Sequence, residues 1–173
     1  MFTDPVKNAR TLGLHENAIV ADLGAGTGFY SVALGHLVPR GKVYAIDIAR
    51  DFLATIKNKA HDAKLKNVEI IWGNVEEPGG TKLRDNLADA IIASNILLQI
   101  EHKHRFIDEI KRILKPGGKA LLVDWHLEHS SILQFKNAVT KKKARAMFEE
   151  GGFKHDRDID AGGHHYGMIL VKL

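Results

Sequence analysis

Three glycines at alternate positions, Gly24, Gly26 and Gly28, follow the apolar run Val20-Ala21-Asp22-Leu23 and precede a helix-compatible segment at Phe29-Tyr30. Strand, glycine turn and helix in that order are how an α/β sheet offers bare backbone to a nucleotide-like ligand. Gly24 and Gly26 let the main chain bend sharply with no Cβ between it and a ligand. Gly28 lets the following helix sit close against the strand. A second chemical group lies one strand later, where Lys42–Asp47 ends on a carboxylate. About ten helical residues run ~15 Å down from the glycine turn, and a six-residue strand climbs back ~20 Å. Asp47 therefore returns to the sheet edge that carries Gly24 and Gly26. A carboxylate there can accept both hydroxyls of a ribose.

Other polar groups should gather at that edge, because in an open parallel sheet the ligand lies beyond the carboxyl ends of the strands. Gly73-Asn74-Val75 follows the third strand and Asn95 the fourth, while Asp124-Trp125-His126 closes the fifth. His164-His165-Tyr166 stands at a turn near the end of the chain. His126 and His165 are the imidazoles placed to act as a general base if an acceptor must lose a proton. Each has a purely structural reading as well. Tyr166 can orient an acceptor or simply pack. His102 and His104 are two residues apart and share no helical face, so they do not read as a metal pair, and no metal is expected. Cysteine is absent, which excludes disulfides and every mechanism with a thiolate nucleophile.

The glycine spacing departs from the dinucleotide pattern G-x-G-x-x-G: the third glycine comes one residue early, and Phe29 stands where that pattern has Gly or Ala. An acidic residue followed by G-x-G-x-G instead resembles motif I of the class I S-adenosylmethionine-dependent methyltransferases. Leu114-Lys115-Pro116-Gly117-Gly118 before an apolar strand resembles the same family, especially its quinone C-methyltransferase subgroup. The resemblance runs from Asp22 to the final strand. It implies an S-adenosyl-L-methionine cofactor held by Asp22, Gly24, Ala25, Gly26, Gly28, Asp47, Ile48, Gly73, Asn74, Val75 and Asn95. Where the family usually has Gly-Asp, this chain has Gly73-Asn74; the amide oxygen can accept from an adenine amino group but carries no charge. Asn95 is implied at the methionine end of the cofactor. The Asn-Pro-Pro-Tyr signature of amino-group methyltransferases is missing after the fourth strand, so methylation of adenine N6 or a glutamine amide is not expected. The acceptor is expected to be a small molecule, with RNA or protein as alternatives. Two rival readings are an NAD(P)-dependent oxidoreductase and a non-catalytic cofactor-binding module.

These residues need a scaffold, and hydrophobic periodicity supplies one. Strands are expected over 18–23, 42–47, 68–72, 88–94, 119–125, 154–160 and 164–172. Helices are expected over 29–38, 51–64, 102–115 and 138–150, with a short one over 82–86. Residues 1–17 carry an N-terminal helix, opened by Thr3-Asp4-Pro5 and closed by Gly13; the family resemblance implies that it covers the cofactor cleft, and a plain packing helix is the alternative. His126–Asn137 reads as a loop. The short turn Ala161-Gly162-Gly163 makes the last two strands antiparallel. The fold class is therefore α/β: a Rossmann-like three-layer αβα sandwich with a mostly parallel seven-stranded sheet and an antiparallel last strand, all in one 173-residue domain.

A chain 45% hydrophobic and 27% charged has the composition of a soluble globular protein. No apolar run approaches the ~20 residues of a membrane span, and no signal-peptide core stands at the N-terminus. A cytoplasmic monomer or homodimer is expected. The net charge of +4 allows an anionic partner without requiring one. Lys141, Lys142 and Lys143 span most of a helical turn, so they read as a solvated face rather than a nucleic-acid patch.

Overall fold

The computed structural model describes residues 3–126 and 138–173. The elements run α1 (Pro5–Arg10), β1 (Ile19–Leu23), α2 (Phe29–Leu37), β2 (Lys42–Asp47), α3 (Arg50–Asp62), β3 (Val68–Trp72), β4 (Ala88–Ser94), α4 (Lys103–Ile113), β5 (Leu114–Trp125), α5 (Lys141–Glu150), β6 (Phe153–Ile159) and β7 (His165–Lys172). The seven strands form one sheet in the order β3-β2-β1-β4-β5-β7-β6. β7 runs antiparallel to both of its neighbours, while the β1–β5 pairings are parallel. The reversed strand is thus inserted inside the sheet, and β6 occupies the edge.

The local chemistry explains these boundaries. Asp4 caps α1 by accepting from Val6 N and Lys7 N at 3.0 Å, with Pro5 next in line where a missing N–H costs nothing. β4 has buried residues on both of its faces, as a central parallel strand must. α4 buries Phe106, Ile107, Ile110 and Ile113 along one stripe with Glu109 beside them, and turns Arg105 to water. Two apolar clusters result, one on each face of the sheet. The α4–α5 face holds Leu23, Ile91, Leu122 and Met168; the α1–α2 face holds Val20, Ile92, Val123 and Ile169.

The short helix expected over 82–86 is absent. Lys82 and Asn86 both adopt left-handed backbone, at φ 60° and 51°, which a helix cannot contain. The segment is held from outside instead: Asn86 N donates to Arg112 O at 2.9 Å and Arg112 Nη1 to Asp85 Oδ1 at 2.6 Å, while just ahead of it Thr81 Oγ1 donates to Glu109 Oε1 at 2.5 Å and the backbone N–H groups of Gly79 and Thr81 donate to the same carboxylate. β5 also begins earlier than expected, directly at the end of α4. Leu114 pairs with Ala88 and Lys119 with Ala90, so residues 115–118 bulge out of the ladder. α5 begins later, at Lys141, behind a Thr140 cap. Lys141 pairs with Asp158 at 2.6 Å, while Lys142 and Lys143 are exposed. The loop expected over His126–Asn137 lies outside the described residues beyond His126.

Candidate functional site

Gly24 N and Ala25 N both donate to Ile46 O, at 2.9 and 3.0 Å, which pins the glycine turn to the end of β2. Asp47 ends that strand and reaches back. Its Oδ2 accepts from Gly26 N at 2.8 Å and its Oδ1 from Ala49 N at 2.8 Å. Two opposed backbone donors fix the carboxylate plane at the rim of the turn. Gly26 has φ 52°, and a Cβ there would meet nothing nearer than Gly24 O at 4.0 Å. The space above Gly26 is open. A Cβ on Gly24 would stand 2.2 Å from Ile96 Cδ1. Gly28 serves a different neighbour from the expected one: at φ 81° its missing Cβ makes room for Ile56 of α3, 2.8 Å away, so it docks helix on helix.

Asp22 lies below the turn, 2% exposed, and accepts from Ser31 Oγ at 2.6 Å. Burial pushes its carboxyl up to about 7; the Ser31 hydroxyl opposes that shift, and the neighbouring Asp47 adds to it. Asn74 Oδ1 accepts from Glu76 N at 3.0 Å, and its Nδ2 donates to Glu77 Oε1 at 3.2 Å. One lone pair of the amide oxygen is therefore engaged within the loop. Asn95 sits at φ 54°, bonded through its N–H to Val123 O at 2.9 Å. Its buried Oδ1 has no hydrogen-bond partner among the described residues. A left-handed Asn with an orphaned buried oxygen is a costly arrangement, of the kind that clusters at ligand sites.

Two cavities open at this edge and share Gly24, Gly26, Phe52 and Gln99. The first, about 280 Å³, is lined also by Asp47, Ile48, Gly73, Asn74 and Val75. The second, about 600 Å³, takes in Thr3, Pro5, Asp22, Ala25, Tyr30 and Asn95. Every expected cofactor residue except Gly28 lines one or the other. Among residues that sequence reasoning missed, Phe52 and Gln99 form the shared wall. Thr3 and Tyr30 are tied together by Asn8 Nδ2, which donates to both hydroxyls, at 2.7 and 3.0 Å. Nothing in the helical spacing over 51–64 tells that the first turn of α3, with Phe52, borders both cavities.

His126 and His165 line neither cavity. His165 is 4% exposed, stacks on Trp125 with ring centroids 4.2 Å apart, and finds no hydrogen-bond partner for either ring nitrogen among the described residues. Burial lowers its pKa, with His164 and His126 adding to the effect, so the ring is neutral. It alternates with Tyr166 along β7, and so projects on the same face as Ile169, Val20 and Asp22, the face covered by α1 and α2. His126 donates its backbone N–H to His164 O at 2.8 Å and presents its ring edge-on to Tyr166 at 5.8 Å. Asp124 is structural: buried, it accepts from Leu97 N and Trp125 N, at 3.0 and 2.8 Å, and ties the end of β5 to the segment after β4. Burial raises its pKa. Among the described residues no group of three or more His, Cys, Asp or Glu side chains could hold a metal ion, and His102 and His104 are both exposed.

An open glycine turn, an acid fixed against it and an orphaned polar oxygen across the cavity fit a ligand with a ribose at one end and an amino-acid moiety at the other. The comparisons with known proteins agree. Residues 14–154 match the model of the methyltransferase-domain family. A solved S-adenosylmethionine-dependent methyltransferase from Aquifex aeolicus superposes with TM-score 0.88 at 27% identity, over 99% of this chain and 91% of that one. The [4+2]-cyclase SpnF shares the fold at TM-score 0.83 and 16% identity, over 97% of this chain and 79% of that one. The fold and the matched family define the class: an S-adenosylmethionine-dependent methyltransferase domain of class I.

The chain belongs to that family, near its quinone C-methyltransferases. It is 30% identical to a demethylmenaquinone methyltransferase of Bacillus mycoides over 116 residues, 66% of this chain and 48% of the relative. The corresponding enzyme of Oceanobacillus iheyensis is 29% identical over 104 residues, 60% of this chain and 42% of the relative. The chain spans about half the length of the curated relatives it matches.

Proposed function

We propose that this protein transfers a methyl group from S-adenosyl-L-methionine to a small organic acceptor, a reduced quinone or similar phenol, in the cytoplasm. The observation that carries this reading is the Asp47 carboxylate, fixed by two backbone donors beside the open Gly26. In this reading Asp47 receives the ribose hydroxyls, Ile48 and Val75 flank the adenine, and Asn74 accepts from its amino group. Asp22 and Asn95 serve the methionine end, and α1 with Thr3 and Pro5 covers the second cavity. The cofactor supplies a methyl group on a sulfonium, already activated for transfer. The protein's task is then alignment and exclusion of water.

On the acceptor side, His165 and His126 stand at the paired ends of β5 and β7. A neutral imidazole can take the proton that a phenolic or acidic-carbon acceptor must lose. Titration calorimetry with S-adenosylhomocysteine, followed by an assay for its release from a panel of naphthols and reduced quinones, tests both halves. Binding plus turnover on a reduced quinone supports the reading; binding of NAD alone overturns it. Binding without turnover on any small acceptor would favour the non-catalytic module.

A further inference from the structure

Among the described residues six large hydrophobic side chains are exposed: Val6, Phe29, Ile48, Phe52, Trp72 and, at the chain end, Leu173. The first five share one edge. Phe29 follows the end of β1, Ile48 and Phe52 follow β2, and Trp72 ends β3. These three strands are neighbours, roughly 5 Å apart. Val6 lies on α1, beside Pro5 at the second cavity. Ile48, Phe52 and Phe29 also border the cavities, yet Phe29 remains 65% exposed, and Trp72, at 43% exposed, lines neither cavity. Burial of such rings is worth about 1.5–3 kcal/mol each, so their exposure at one rim marks a contact surface.

Cations accompany the aromatics. Lys59 Nζ lies 3.8 Å from the centre of the Phe29 ring; Arg50 and Lys82 lie 5.5 and 5.0 Å from that of Trp72. None of the three is in an ion pair with a described acid. Asp51 is the exposed acid of the same helix turn, while Asp47 is turned inward. Trp72 keeps its ring N–H bonded to Ile48 O at 2.9 Å, leaving its apolar edge outward.

Aliphatic and aromatic side chains flanked by unpaired Lys and Arg are the composition that seats on a lipid headgroup boundary. The rings enter the acyl margin, and the cations stay at the phosphates. We propose that the α1–β3 rim of this protein docks peripherally on an anionic bilayer surface, with both cavity mouths facing the lipid. Val6 and Ile48 offer no stacking face to bases, which favours lipid over single-stranded nucleic acid. The inference does not depend on the methyl-transfer reading.

The test is co-sedimentation of the whole protein with phosphatidylglycerol vesicles and, separately, with phosphatidylcholine vesicles. Partitioning is expected to phosphatidylglycerol, to weaken about tenfold or more in a Val6→Ser/Phe29→Ser variant, and to lose most of its salt dependence in Arg50→Gln/Lys59→Gln/Lys82→Gln. Circular dichroism and thermal melting verify that each variant is folded. No binding to either vesicle, or equal binding by wild type and both variants, overturns the proposal. So does a homodimer lost in the serine variant, or binding to single-stranded RNA in place of vesicles.

Discussion

Asp22 and Asp47 stand on neighbouring strands at one rim and face opposite demands. Asp47 takes two backbone N–H groups and is held ready; its replacement by alanine should weaken S-adenosylhomocysteine binding about 10- to 100-fold by calorimetry, the cost of contacts to a charged group. Asp22 is buried with one hydroxyl donor, and its carboxyl is pushed up to about 7. A folded-state value above the ordinary one means that the native protein binds the extra proton. Asp22 therefore costs stability as pH rises from about 4 to 7, and the cost levels off above that. Asp22→Asn should raise the melting temperature at pH 8 more than at pH 5. His165 has the opposite sign for the opposite charge: burial lowers its value, so the native state resists protonation and stability falls as pH drops below about 6.5. Replacing it with leucine should flatten that acid branch in thermal melts at pH 5–7. Asp47 was legible because a helix and a strand of known rise return the chain to its starting edge. The stacking of His165 on Trp125 was not, because it depends on which strand β7 joins.

At the scale of elements, the segment between β3 and β4 shows what local pattern leaves out. Lys82–Asn86 has helix-compatible residues, yet it is held by α4, two elements away, through Arg112 on Asp85 and Asn86 and through Glu109 on the turn just ahead of it. Burial opposes the Glu109 charge, but donors from Arg112, Thr81 and Gly79 outweigh it and hold the carboxyl down at about 2. Glu109→Ala leaves Thr81 without its acceptor and Arg112 with Asp85 alone, so urea denaturation should show a loss of about 1–3 kcal/mol. Gly28→Ala faces both a left-handed backbone and the Ile56 side chain. The backbone alone costs about 1–2 kcal/mol, and a denaturation midpoint should fall accordingly. The glycine itself was readable in the sequence; the neighbour it admits, α3 rather than the strand, needed the fold.

For the molecule as a whole, a ligand that binds only the native state adds stability by mass action. S-adenosylhomocysteine at a hundred times its dissociation constant should contribute about 2.7 kcal/mol and raise the melting temperature by roughly 5–10 °C. NAD at the same concentration should leave it unmoved. The αβα layering and the reversed last strand were legible because strand spacing and a three-residue turn admit few topologies. The cavity walls were not, since Thr3, Phe52 and Gln99 come from three separate segments whose convergence no single motif encodes.

The placement of β7 between β5 and β6 also governs the order of assembly during synthesis. Residues 165–172 leave the ribosome after every other strand, yet they supply the hydrogen-bonding partners for two of them. Until they emerge, the nascent chain carries β5 with a bare flank and β6 with no neighbour at all, an invitation to pair with other chains. Any truncation before His165 should therefore yield aggregates rather than a smaller folded enzyme.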